Sequence, residues 1–355
     1  MYSKSYNVIG VMSGTSLDGV DLAHIRFNFV NGKITYNIDK AATIPYTKYW
    51  EDRLRAGVAL EETELMQLDS DYTTLLSGYI NQFISNHSIE TPDAICSHGH
   101  TILHQPARGV TFQAGNLPSI AALTKQRVVC NFRVQDVALG GQGAPLVPIG
   151  DRLLFPEYDF CLNLGGFSNI SFEDNGVRVA FDISPANIVL NRYAATFGVA
   201  YDDGGHIAAA GNCCHELLEE LNGLTYYQAA WPKSLGLEFV IAEVLPLIQK
   251  YKISAADVLH TFTIHIAQQV SFALRGKNGR MLVTGGGAYN TFLITQMKNV
   301  LPHIEVIVPD GNTVQFKEAL VFGLLGVLRM RDEDNVLASV TGASRNHCAG
   351  FIYEP

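Results

Sequence analysis

YNVIGVMSGTSLDGVDLAHIRFNF, residues Tyr6–Phe29, leads into the pair Asn31-Gly32 and the run Lys33–Ile38. It reads as strand, glycine-rich turn, strand, hairpin, strand. Asn-Gly between apolar runs marks a two-residue hairpin, because both turn positions need positive φ. The layout returns later in the chain. Phe160–Leu164 is followed by Gly165-Gly-Phe-Ser168, then Asn169–Phe172, the pair Asn175-Gly176, and Val177–Ile183. A meander used twice predicts two related α/β lobes.

After each meander the apolar spacing turns to threes and fours, which predicts helices over Glu61–Ser85, Ile188–Phe197, Cys213–Asn222, Leu235–Lys250, Ala255–Leu274 and Lys317–Arg331. Short strands are expected at Ala94–Ser97, Arg127–Cys130, Arg280–Thr284 and Glu305–Val308. A meander followed by alternating α and β, twice over, points to a pair of lobes with a cleft between them. The division is expected near Leu139–Pro148, giving lobes of 1–140 and 141–335, with the segment after about 335 returning to the first.

The chain has 355 residues and a formal charge of −9, which disfavours unspecific binding to nucleic acid or an anionic membrane. The longest apolar stretch, Ala319–Leu328, is short of a membrane span, and the N-terminus lacks the apolar core of a signal peptide. The six cysteines form no CxxC, so reduced thiols in a cytoplasmic protein are expected.

Several segments can carry chemistry. Ser13–Asp21 is a tight turn with glycines and hydroxyl residues between two strands. It lacks the Lys of a P-loop, but such a turn can aim backbone N–H groups at an anion, with Asp18 and Asp21 near a phosphate-bound Mg²⁺. It also suits an ordinary hairpin. Gly165–Ser168 is the corresponding turn of the second meander. Gly285-Gly286-Gly287 ends an apolar strand and could let a flat ligand approach the backbone, or could be a plain strand–helix turn; its spacing does not fit a dinucleotide fingerprint. Asp182 closes an apolar strand before Ser184-Pro185, where partial burial would raise its pKa and suit general-base work; a turn or cap Asp would also fit. Arg133 could meet a carboxylate or phosphate, and the glycines around Gln142 a close ligand or a hinge. His98, His100 and His104 lack zinc-ligand spacing.

Together these segments resemble the anhydro-N-acetylmuramic acid kinase family of the sugar-kinase, actin and heat-shock ATPase superfamily. The matching stretches run in order: Gly10–Ala23, SHGHT (Ser97–Thr101), NFRVQDVALGGQGAPLVP (Asn131–Pro148), NLGGFSNIS (Asn163–Ser171), FDISPAN (Phe181–Asn187), YDDGG (Tyr201–Gly205), PKSLG (Pro232–Gly236) and TGGGAYN (Thr284–Asn290). The resemblance implies a two-lobed actin-like ATPase fold with duplicated ribonuclease-H-like lobes. It implies a cytoplasmic homodimer that uses ATP and Mg²⁺ to open 1,6-anhydro-N-acetylmuramic acid and phosphorylate its 6-oxygen. Asp182 falls on the catalytic base. Gly14, Thr15, Ser16, Leu17, Asp18, Gly19, Val20 and Asp21 fall on the ATP phosphate loop, Asp18 lying toward the metal. Gly165, Gly166, Ser168 and Gly285–Gly287 are expected to complete the nucleotide contacts. His98, Asn131, Arg133, Gln142 and Gly143 are expected to contact the sugar.

The chain departs from the family at Ile183, Ser184 and Ala186, where the usual reading is FDTGPGN. It also departs at Asn131 (usually Asp), His100 (usually Gln) and Asn191 (usually an acid). These changes bear on substrate identity and turnover more than on ATP binding. The alternatives are a kinase for another sugar, or a nucleotide-binding member with weak or no turnover.

Overall fold

The computed structural model describes residues 3–14 and 16–355. It divides into two compact units, Met1–Phe155 with Phe316–Pro355, and Pro156–Gln315.

In the first unit, β1 (Ser3–Ser13), β2 (Gly19–Val30) and β3 (Lys33–Pro45) form the antiparallel meander. The hairpin at Asn31 (φ 50°) and Gly32 (φ 80°) has the two positive φ values that its sequence called for. β4 (Ala94–Gln105) joins β1 in parallel, and β5 (Val110–Ala114) folds back on β4. β6 (Val128–Cys130) lies parallel to β4. In the second unit, β7 (Phe160–Leu164), β8 (Phe167–Asp174) and β9 (Val177–Pro185) repeat the meander. β10 (Gly279–Thr284) and β11 (Ile304–Ile307) extend it in parallel from β7. Finally β12 (Phe351–Tyr353), at the C-terminus, pairs antiparallel with β6 in the first unit.

Among the described residues, one sheet runs β12-β6-β4-β1-β2-β3 with β5 on β4, and the other β11-β10-β7-β8-β9. The order β3-β2-β1-β4-β6 is therefore repeated as β9-β8-β7-β10-β11. The two sheets thus repeat one α/β arrangement, the duplication that the two meanders predicted. Each copy has its own core. The helix Glu62–Asn86, opened by a Glu61/Glu64 capping box, buries Leu68, Tyr72, Leu76, Ile80 and Phe83 against the first sheet's cluster. Ala255–Ala273, capped by Ser254, buries Leu259, Phe262, Ile266 and Val270 in the second. Each such side chain contributes about 1.5–3 kcal/mol on burial.

The sequence anticipated the meanders and long helices. It missed β5 and β12, both too short to show a pattern. The lobe boundaries also differ from those expected at 140/141 and about 335. The helix Val147–Leu154 packs on β3, which keeps it in the first unit. The return comes earlier, at Phe316, where φ −109° and ψ 15° interrupt the helix Gly311–Met330. Beyond that break the helix lies against β1: a Cβ on Gly10 would stand 1.9 Å from the Ala319 carbonyl oxygen. The expected helix Leu235–Lys250 is present as three consecutive turns between Leu237 and Gln249, with Pro246 in the last. No helix among the described residues is long and apolar enough to cross a membrane.

Candidate active site

In the first unit the meander brings the end of β1 beside the start of β2, so Gly14–Asp18 form a short connection. The Leu17 N–H donates to the Gly14 carbonyl (3.3 Å), and Leu17 itself is buried with φ 61°. Ser16 Oγ donates to Asp18 Oδ1 (2.7 Å), and Asp18 is exposed. Among the described residues a Cβ at Gly14 would meet only Ser16, whereas one at Gly19 would strike the Ile44 carbonyl oxygen at 2.5 Å. The chain is thus open at Gly14 and tightly packed at Gly19. Thr15 lies outside the described residues. Val20 is buried in the core. Asp21 accepts from Thr43 Oγ1 (2.5 Å); burial pushes its carboxyl up to about 6, helped by the nearby charges of Asp18 and Glu318.

Glu318 was not singled out by sequence. Its own carboxyl is raised, by burial first, while Arg133 and Lys317 oppose the shift. Three carboxylates that repel one another beside an open glycine turn favour a nearby cation. Among the described residues, however, no group of three or more His, Cys, Asp or Glu side chains converges to ligand a metal directly. The arrangement fits a cation carried by a phosphate ligand better than one caged by protein.

The expected sugar-contacting residues of this unit fall into one hydrogen-bonded cluster. Arg133 Nε donates to His98 Nε2 (2.9 Å), and its Nη1 to the Gly143 carbonyl (2.6 Å). Because His98 Nε2 accepts, His98 carries its proton on Nδ1, which faces the Gly99 carbonyl (2.9 Å). Burial and then Arg133 hold His98 well below its ordinary pKa, so it is neutral. Burial likewise pushes Arg133 down to about 10, against the pull of Glu318 and Asp136. Gly143 (φ 69°) donates its N–H to the buried Asp136 (2.6 Å). Asn131 donates to the Asn116 carbonyl (3.4 Å), and Asn116 to that of His98 (3.2 Å). Gln142 is exposed and tied by its N–H to the Thr341 carbonyl (2.8 Å).

In the second unit the two glycine turns meet at the start of the helix Asn187–Ala194. Gly165 and Gly166 accept the N–H groups of Asn187 and Ala186. At Gly285 (φ 82°) a Cβ would stand 2.6 Å from Asn163 Oδ1, and at Gly287 2.7 Å from Leu164 Cβ, so glycine is required at both. At Gly166 and Gly286 the nearest atoms would be 4.0 and 3.9 Å away, leaving open space over the backbone. Ser168 is fully buried and its hydroxyl is engaged with Ser184, both Oγ (2.9 Å) and carbonyl (3.0 Å). Any ligand contact from this turn would therefore come from the backbone of the two glycines.

Asp182 sits in β9 opposite Asn169. Its Oδ2 accepts the Leu235 N–H (2.8 Å), its N–H donates to the Lys233 carbonyl (3.2 Å), and its carbonyl accepts from the Tyr226 hydroxyl (2.7 Å). The segment Tyr226–Leu235 thus holds the residue at three points. The other carboxylate oxygen, Oδ1, has no hydrogen-bond partner among the described residues. Burial raises the carboxyl above its usual range, and the Leu235 N–H only partly offsets this. A half-buried, fixed carboxylate with one oxygen uncommitted is what a general base needs. The sequence flagged PKSLG (Pro232–Gly236) only as a matching stretch; its contact with Asp182 comes from the fold.

The family model for anhydro-N-acetylmuramic acid kinase matches residues 6–355. The anhydro-N-acetylmuramic acid kinase of Francisella tularensis subsp. novicida (strain U112) is 34% identical over 372 residues, covering 97% of each chain. That of Clostridioides difficile (strain 630) is 33% identical over 375 residues, again covering 97% of each. Among solved structures, (R)-2-hydroxyglutaryl-CoA dehydratase component A of Acidaminococcus fermentans aligns with a TM-score of 0.46 at 13% identity, covering 90% of this chain and 97% of that one. On the match of nearly its whole length, the chain belongs to the anhydro-N-acetylmuramic acid kinase family.

Proposed function

We propose that the protein is an ATP-dependent carbohydrate kinase that opens 1,6-anhydro-N-acetylmuramic acid with water and phosphorylates its 6-oxygen, giving N-acetylmuramic acid 6-phosphate and ADP in cell-wall sugar recycling. The observation that carries the mechanism is Asp182, with one oxygen pinned by Leu235 and the other uncommitted. Asp182 takes a proton from water as that water bonds to the anomeric carbon. The bond from that carbon to the bridging oxygen breaks, and its electron pair passes to the 6-oxygen. The 6-oxygen bonds to the γ-phosphorus as ADP leaves. Phosphoryl transfer needs positioning and charge neutralisation more than covalent help.

The open backbone at Gly14, Gly166 and Gly286 supports phosphate and nucleotide contacts there. Mg²⁺, when bound to ATP, neutralises developing phosphate charge; the carboxylates of Asp18 and Asp21 would face it, Asp18 through water. Arg133 is held by His98 and Gly143 with its Nη2 uncommitted, which suits the lactyl carboxylate. A cytoplasmic homodimer belongs to the same proposal, and light scattering that finds only monomer removes the dimer.

Incubation with ATP and the anhydro-sugar in ¹⁸O-water tests the chemistry. The label is expected on the anomeric hydroxyl and not in the phosphate. ADP formed only with an unbridged sugar would replace ring opening by ordinary hydroxyl phosphorylation. ATP binding without ADP release over a panel of anhydro-sugars would leave a nucleotide-binding protein.

A further inference from the structure

Between the short helix Thr225–Gln228 and the turn that begins at Leu237 the chain forms no regular element. Gln228–Pro232 and Ser234 are exposed. Yet this loop carries two of the three groups that hold Asp182, the Lys233 carbonyl and the Leu235 N–H. The third, the Tyr226 hydroxyl, lies at its root. An exposed loop with few contacts opens readily, and one that opens cannot keep a carboxylate in one place. Something has to hold it shut.

The root is fixed by burial. The Tyr227 hydroxyl lies 3.0 Å from His265 Nε2, and the two rings meet edge-on with centroids 5.0 Å apart. Both residues are buried, and His265 belongs to the helix Ala255–Ala273. Its Nδ1 is 2.8 Å from Asn222 Oδ1. Phe239, beyond the far end of the loop, packs on Tyr226 and Tyr227 with centroids 5.3 and 6.2 Å away.

Among the side chains of residues 228–234, only that of Lys233 reaches back to this root. Its Nζ donates to the Tyr226 carbonyl (3.2 Å) and stands 4.6 Å from the centroid of the Tyr226 ring. A cation over a tyrosine face is attracted by the ring, the more so when it is partly desolvated. No carboxylate among the described residues pairs with this ammonium. Burial lowers its pKa with no acidic neighbour opposing the shift. A half-buried lysine without an acidic partner, in a chain with 34 acidic residues, is thus committed to Tyr226.

We infer that Lys233 is a positioning residue for Asp182: its ammonium, seated on the ring and carbonyl of Tyr226, latches the loop shut and so keeps the Leu235 N–H and the Lys233 carbonyl on Asp182. The hold stands on the geometry alone; its effect on turnover rests on the proposed reaction. With the latch gone, Asp182 Oδ2 loses the Leu235 N–H, the contact that lowers its pKa, and the carboxylate is free to turn. The other titratable groups around it stay neutral. Tyr226 has its pKa raised by burial first and then by the Asp182 charge, and burial holds His265 down at about 3.

The test is amide hydrogen exchange by NMR on the full chain, read beside kinetics. In Lys233→Met the Leu235 and Asp182 amides are expected to exchange about tenfold faster, while those of the helix Ala255–Ala273 keep their rates. Plateau kcat is expected to fall about tenfold or more, and the acid limb of kcat/KM to move to higher pH, with KM for ATP and for the anhydro-sugar close to the parent's. Lys233→Arg, whose guanidinium can sit on the same ring and carbonyl, should restore both readings. Unchanged Leu235 exchange overturns the inference, and so does a quickened Leu235 amide with kcat intact. A raised KM with kcat intact also overturns it, since the ammonium would then be holding an anionic group of a ligand. Lys233→Gln, uncharged but polar, repeats the measurement should the methionine variant not fold. If the parent protein turns over no anhydro-sugar, the proposed reaction falls, and the exchange rates alone decide whether Lys233 holds Asp182.

Discussion

Asp182 is the residue on which turnover should depend most. Asp182→Asn keeps the Leu235 hydrogen bond but cannot take a proton. Turnover is expected to fall roughly 10²–10⁴-fold, the usual weight of a general base, with calorimetric ATP affinity nearly unchanged. An unimpaired variant would remove Asp182 from the chemistry. A general base works only when ionised, and burial raises the Asp182 pKa. The acid limb of kcat/KM should therefore lie above the pH expected of an exposed carboxylate. Asp21 gives a stability counterpart. Its folded pKa, about 6, exceeds the unfolded 3.8, so the folded state binds this proton more tightly and stability is lost as pH rises through about 6. Without nucleotide or divalent metal, Asp21→Asn should melt above the parent at pH 7.5, and the gap should close toward pH 4. A constant gap would point to packing instead. At this scale the sequence singled out Asp182 as a candidate, because a carboxylate ending an apolar strand is visible in one line of residues. Tyr226 and Leu235, which hold it, were not legible. They lie 44 and 53 positions away, and only the fold brings them together. Glu318 was hidden similarly, next to Lys317 at the head of a long apolar run in its helix.

Among elements, the meanders were legible because Asn-Gly hairpins and alternating apolar residues state their own geometry. The packing of β1 on the helix Gly311–Met330 was not, since nothing local to Gly10 announces the Ala319 carbonyl. That contact is tight enough to test. Gly10→Ala places a methyl 1.9 Å from that oxygen and should cost about 2 kcal/mol or more, read as a lower urea midpoint; an unchanged midpoint would mean the helix can shift freely. The departures from FDTGPGN are likewise settled by their element. Ile183 sits in the apolar core, Ser184 bonds to Ser168, and Ala186 is buried with its N–H on the Gly166 carbonyl. None of the three bonds to the Asp182 carboxylate. The three positions therefore pack without touching the Asp182 carboxylate, which Leu235 anchors.

For the molecule as a whole, the repeat of strand order carried the fold, and the sequence showed it through two meanders that share almost no residues. Boundaries were the weak point, since a helix that belongs to one core and starts in another has no compositional signature. The second unit is one continuous piece, Pro156–Gln315, with its own five-stranded sheet and core. Expressed alone, 156–315 should give mixed α/β circular dichroism and a cooperative melt; a chain without a transition would show that its core needs the rest. The first unit is built otherwise. The segment Phe316–Pro355 belongs to it, and β12, within the last five residues, supplies the strand beside β6. A ribosome making this chain from its N-terminus therefore releases every strand of the second sheet while the first still awaits its edge. The unit translated earliest thus waits on a strand made after the second unit, so a stop codon placed between Gln315 and Phe351 would spare the second unit and leave the first without β12.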